Sequence, residues 1–166
     1  MLKRGSGKQL RLVCGSALDL PFRKEGFDTV FYSSLLHHLL GKAWKDTLQR
    51  VREALEQGHA CLERGGNIII VESCCPAFLE RIERVFLFVL RAFFYVTGQP
   101  DAFIFSEDSL KKFLLDCGYV EVQTWNAGFV RRNKGEWIRP CIGFPLLKIP
   151  RWLNPVKRMV FEAKKR

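Results

Sequence analysis

The run Asn67-Ile-Ile-Ile-Val-Glu72, preceded by Gly65-Gly66, constrains this chain most. Consecutive β-branched residues in a strand point alternately to its two sides, so the run has no wet face. Such a segment is expected where a parallel strand is covered on both sides by helices.

The neighbouring segments agree with that reading. Leu10-Arg-Leu-Val-Cys14 alternates before Gly15 and predicts a strand, and Phe27-Asp-Thr-Val-Phe-Tyr32 predicts a second. Apolar residues at helical spacing from Trp44 through Leu48, Val51 and Leu55 to Leu62 predict a helix, with Gly65-Gly66 as its stop. Pro76 suits the first turn of a further helix, apolar on most sides from Phe78 to Val96. That stretch is interrupted by Arg91 and is too short to span a bilayer. Ser106-Glu-Asp-Ser offers an N-cap and an acidic first turn for a short helix ending at Gly118. Tyr119–Trp125 and Arg158–Ala163 alternate as strands. The order is β, β, α, β, α, α, β, loop, β. It predicts an α/β domain with a mostly parallel sheet, helices on both faces, and a final strand pair that runs antiparallel because no long helix joins it. With 166 residues and no low-complexity linker, a single domain over 1–166 is expected.

Charge and cysteines narrow the function classes. The net charge is +10, and eleven of the 27 Lys and Arg lie from Ala127 onward against two Glu. A basic aromatic insert, residues 127–157, therefore precedes the last strand. Its mixture of Trp137, Phe144 and Trp152 with cations suits a membrane interface or a lid over a lipophilic ligand. It would also suit RNA, but no recognised RNA module accompanies it. The six cysteines show no metal spacing, and Cys74-Cys75 would chelate poorly, so no metal site is expected. Reduced thiols point to a cytoplasmic chain, with peripheral membrane contact through the basic insert as an option. Gly5-Ser-Gly-Lys8 lacks the remaining parts of a phosphate-binding loop.

Three ordered segments, "GSALDLPF", "FDTVFYSSLLHHL" and "LERGGNIIIVES", together resemble class I S-adenosylmethionine-dependent methyltransferases of the small-molecule, type 11-like kind. The resemblance is strong over about residues 1–75 and rests on element order beyond. It implies a Rossmann-like sheet with strand order 3-2-1-4-5-7-6. It also implies S-adenosyl-L-methionine as cofactor and methyl transfer to a small, lipophilic acceptor. Ser16 and Ala17, with Leu18, match the turn at the adenine, although Asp is commoner at the first of these. Ser33 matches the residue facing the methionine portion. His37, His38 and Trp137 are candidate substrate contacts; adjacent histidines on a helical turn point about 100° apart, so at most one faces the cleft. No catalytic residue is assigned, because methyl transfer rests largely on positioning.

The glycine-rich turn and the acidic ribose-binding residue of the family have no counterpart here. Met1-Leu-Lys-Arg resembles the segment that follows that acid, which implies a chain lacking the first two strands of the domain. Two rival readings follow from the same features. One is a catalytically silent methyltransferase-like subunit with a partner chain at its exposed sheet edge. The other is a tRNA or protein methyltransferase that docks through the basic tail.

Overall fold

The computed structural model describes residues 12–98, 101–127, 137–138, 149–150 and 155–166, the two short pairs by backbone alone. Its centre is a four-stranded sheet built from β1 (Phe27–Ser33), β2 (Leu62–Cys74), β3 (Tyr119–Asn126) and β6 (Lys157–Lys165), in the order β1-β2-β6-β3. β1 and β2 run parallel, whereas β6 runs antiparallel to both β2 and β3. The antiparallel closing pair expected from the missing crossover helix is therefore present. A short ladder pairs β4 (Trp137–Ile138) with β5 (Ile149–Pro150).

Helix α1 (Trp44–Cys61) connects the parallel pair. Its entry is held by Asp46 Oδ2 accepting from the Ala43 N–H at 3.0 Å and by Thr47 Oγ1 accepting from the Gly41 N–H at 2.9 Å. The glycines at 65–66 do not stop this helix. It ends at Cys61, and β2 begins at once with Leu62. The two glycines instead form an irregularity inside β2, where the register jumps from Phe27↔Leu62 to Thr29↔Asn67. Gly65 has φ +75°, and a Cβ on Gly66 would lie 2.9 Å from the Asp28 carbonyl, so the bulge requires both.

The apolar stretch after Pro76 is two helices rather than one: α2 (Ala77–Val85) and α3 (Leu87–Thr97), separated at Phe86 and closed by left-handed Gly98. Helix α4 (Glu107–Asp116) has the anticipated cap, the Ser106 hydroxyl accepting from the Ser109 N–H. The strand expected at Leu10–Cys14 does not form in its described part. Residues 12–15 have no ladder partner, and Leu12 is 87% exposed. β1 is an edge strand, so an alternating apolar pattern upstream has no described neighbour to complete its hydrogen bonds.

The core lies on one side of the sheet. Tyr32, Ile68, Ile70, Phe161, Ala163 and Tyr119 pack with Val51, Leu55, Leu87, Leu110 and Leu114 in one cluster. Tyr32 and Tyr119 donate their hydroxyls to the α1 carbonyls of Ala54 and Leu55, at 2.8 and 3.0 Å. Burial pushes both phenols far above their ordinary range, so they stay neutral donors.

Candidate functional site

The carboxyl ends of β1 and β2 meet at Ser33 and Val71, which are register partners. In a parallel α/β sheet this end is where ligands collect. Ser34 leaves the tip with φ +52°, a left-handed conformation uncommon for serine, and its N–H donates to the Val71 carbonyl at 2.8 Å. A single 3-10 turn follows, Leu36–His38.

That turn is anchored to β2 by Glu72. The Glu72 side chain is 2% exposed, with Oε1 accepting from the Leu36 N–H at 2.6 Å and Oε2 2.7 Å from His37 Nδ1. A carboxylate only accepts, so Nδ1 is the donor of this bond. The His37 carbonyl in turn accepts from the Phe103 N–H at 2.9 Å. The His38 ring lies 4.0 Å away, centroid to centroid, tilted by 43°, and is itself exposed.

The adenine-turn candidates sit in their own feature. Ser16 Oγ accepts from the Leu18 N–H at 3.1 Å, the Ser16 carbonyl accepts from the Asp19 N–H, and the Leu20 N–H reaches Gln57 of α1 at 3.3 Å. Ser16 is exposed, while Ala17 and Leu18 pack partly against the core. This is a bridged turn and not the tip of a regular strand. Ser33 is likewise exposed at its tip. The Trp137 side chain lies outside the described residues, as does most of the insert 127–157. The sequence reading paired His37 with His38 and passed over Glu72. The signal was a lone carboxylate ending an otherwise apolar strand.

A second set of carboxylates braces the far side. Glu80 accepts from the Ser106 N–H at 2.7 Å and from the Ser109 hydroxyl, and Glu83 accepts from the Ile104 N–H at 3.3 Å. Burial pushes Glu83 up to about 7. Burial also pushes the Cys74 and Cys75 thiols up to about 12, which removes them as nucleophiles near neutrality. Among the described residues no cluster of His, Cys, Asp or Glu could hold a metal ion. A cavity of about 280 Å³ opens beside the end of β2, lined by Cys74, Pro76, Ser106, Glu107, Lys157 and Met159 among others. A larger one of about 620 Å³ lies among α1, α2 and α4.

The sheet order decides the family of folds. β1-β2-β6-β3, with an antiparallel β6 inserted between β2 and β3, is the 4-5-7-6 half of the order that the resemblance implies. The chain has the fold of class I S-adenosylmethionine-dependent methyltransferases. Residues 1–70 match the family described as "Methyltransferase domain". Among solved structures, a methyltransferase of this cofactor class from Thermotoga maritima aligns at 17% identity and TM-score 0.52, covering 92% of this chain and 62% of its own. A Bacillus halodurans protein assigned to the methyltransferases aligns at 14% identity and TM-score 0.58, covering 96% and 73%. A Methanosarcina mazei methyltransferase aligns at 15% identity and TM-score 0.53, covering 91% and 65%. The chain thus spans less than two thirds of the Thermotoga and Methanosarcina structures. A search of curated proteins found no match.

Ser16 and Ser33 are exposed, and a hydroxyl at either position can donate to or accept from a ligand.

Among the described residues, no helix is long and apolar enough to cross a membrane.

Proposed function

We propose that this chain takes part in methyl transfer from S-adenosyl-L-methionine to a small acceptor. The observation that carries the reading is the strand order with its antiparallel β6. Ser16, Ala17 and Leu18 would contact the adenosyl portion, and Ser33 the amino-acid portion. When bound, the cofactor supplies an electrophilic methyl group on a sulfonium. The chain's own part is to hold the acceptor in line with it and to exclude water. The basic aromatic insert would cover a lipophilic acceptor, and peripheral membrane contact through it belongs to the same proposal.

Titration calorimetry with S-adenosylhomocysteine tests this. Because the glycine-rich turn and the acidic ribose-binding residue of the family have no counterpart here, the titration compares this chain with one extended upstream. Saturable heat restored by the extension, and abolished again by Ala17→Arg, supports the reading; absence of heat from both forms would remove the enzymatic reading. The second reading, a methyltransferase-like subunit serving a partner, would then gain from the edge of β1 that has no pairing strand among the described residues and from the 60% exposure of Phe31 on it.

A further inference from the structure

Helices α2 and α3 carry their apolar stripe on the outside. The Phe86 N–H donates to the Ile82 carbonyl and the Phe86 carbonyl accepts from the Leu90 N–H, both at 3.0 Å, so the coil runs on through the break. At about 100° per residue, Phe78, Ile82, Val85, Val89, Ala92 and Val96 then share one face, spaced alternately four and three residues apart. Such a stripe ordinarily meets a core, yet every member of it is exposed. The side toward the protein instead carries Glu80 and Glu83, both buried, which accept from the Ser106 and Ile104 N–H groups, and then buried Leu87 and Phe94. Arg91, the only charged residue of α3, is also drawn toward the protein, Nη1 donating to the Gly41 carbonyl at 2.6 Å. Eight of the fifteen large apolar side chains exposed among the described residues lie between Phe78 and Val96, so this is a patch and not scatter. It holds no carboxylate, because α2 and α3 have no acid besides the two that are buried. Its charge comes from one border, where Arg81 has no ion pair among the described residues and the Arg84 guanidinium lies 5.5 Å from the centre of the Trp44 ring.

We infer that α2 and α3 form a docking face for an anionic lipid surface, with the stripe from Phe78 to Val96 among the acyl chains and Arg81 at the headgroups. Charge and shape select this occupant. A second copy of the chain, packed stripe to stripe, would bring more arginines to the border and no acid to pair with them. A coiled-coil partner fits a narrow stripe between charged flanks, whereas Phe86, Phe88 and Tyr95 widen this arc to about half the helix circumference. A wide apolar arc edged by arginines and aromatic rings is the pattern of a helix that lies in the plane of a bilayer surface. The net charge of +10 draws the chain to an anionic one. With nine and eleven residues, neither helix can span the hydrocarbon, so the pair enters it only about 5–10 Å deep. The inference stands apart from the methyltransferase reading, and it places lipid contact on a different element from the insert 127–157.

Co-sedimentation of the chain with lipid vesicles tests this. Vesicles of phosphatidylcholine with about one quarter phosphatidylglycerol should bind it at least about tenfold better than phosphatidylcholine alone, and less as salt rises from about 0.05 to 0.5 M. Phe88→Glu and Val96→Glu each put an acid into the arc and should lower the partition coefficient about tenfold or more. These side chains are 73% and 82% exposed, so both variants should keep the parent's circular dichroism and unfolding midpoint. Arg81→Gln should cost about fivefold on the anionic vesicles and nothing on phosphatidylcholine. Failure to bind anionic vesicles, equal binding to neutral ones, or binding unchanged in both glutamate variants would each overturn the inference. Loss in Trp152→Ser, with both glutamate variants binding as the parent does, would move the contact to the insert and overturn it too. A dimer in analytical ultracentrifugation that Phe88→Glu dissolves, with no vesicle binding, would give the face to a second copy and overturn it as well. None of these outcomes bears on S-adenosylhomocysteine binding, so the proposed function stands or falls separately.

Discussion

The two faces of the sheet differ more than the two ends. On one face Tyr32, Ile68, Ile70, Phe161 and Ala163 are sealed under α1, α3 and α4. On the other, Phe31 is 60% exposed and Trp125 44%, while Ile69, Val71 and Val160 are only partly covered. Both faces carry the same kind of residue, because a β-branched run is apolar on each side. What separates them is whether another element arrives. Helices α1, α3 and α4 join the first cluster, and no described helix covers the second face. An apolar sequence therefore states a demand for cover, and the tertiary structure shows which demand is met.

The contrast is open to direct attack. Truncating Phe161, fully buried against the helices, should leave a cavity and lower unfolding free energy by about 3–5 kcal/mol in urea denaturation. A loss below about 1 kcal/mol would mean that the helical side is loosely packed and the contrast is false. A smaller effect comes from Glu83, buried on α2. Its carboxyl is raised to about 7, above the ordinary value of 4.5, so the fold favours the protonated form. Stability from this group is fully present below about pH 4.5 and is lost as pH rises through about 7. Glu83→Gln keeps an acceptor for the Ile104 N–H and should remove that decline. The variant should exceed the parent by on the order of 2 kcal/mol at pH 8, and the two should converge near pH 5. Parallel stability–pH curves would refute the assignment. The smallest change is expected on the open face. Phe31→Thr should alter stability by less than about 0.5 kcal/mol, while lowering binding of an apolar dye. A loss comparable to that of Phe161→Ala would show that this face is covered in solution.

Much of the element list was legible in the sequence because periodicity reports which side of an element is buried. β1, α1, α4, β3 and β6 fall within a few residues of their expected limits. Ser106 caps α4 because its hydroxyl can satisfy a nearby N–H whatever the surroundings. Three features needed the third dimension. The glycines at 65–66 look like a helix stop, yet helix and strand termini are set by pairing with β1, and the pair serves a bulge instead. The break at Phe86 leaves no mark in an apolar stretch. Leu10–Cys14 has a strand's pattern, but a strand exists only where a neighbour supplies the other half of its ladder.

The candidate site divides in the same way. One strand tip, at Ser33, followed by a histidine pair, could be read from residue types at fixed spacing, since chain connectivity places the pair just after an apolar strand. The second tip expected at Ser16 is a bridged turn instead. Sequence alone did not determine that Glu72, 35 residues after His37, would close on its ring. Parallel pairing of β1 with β2 decided that. Strand register is a long-range property, and it alone brings a carboxylate from one strand against an imidazole that follows the other.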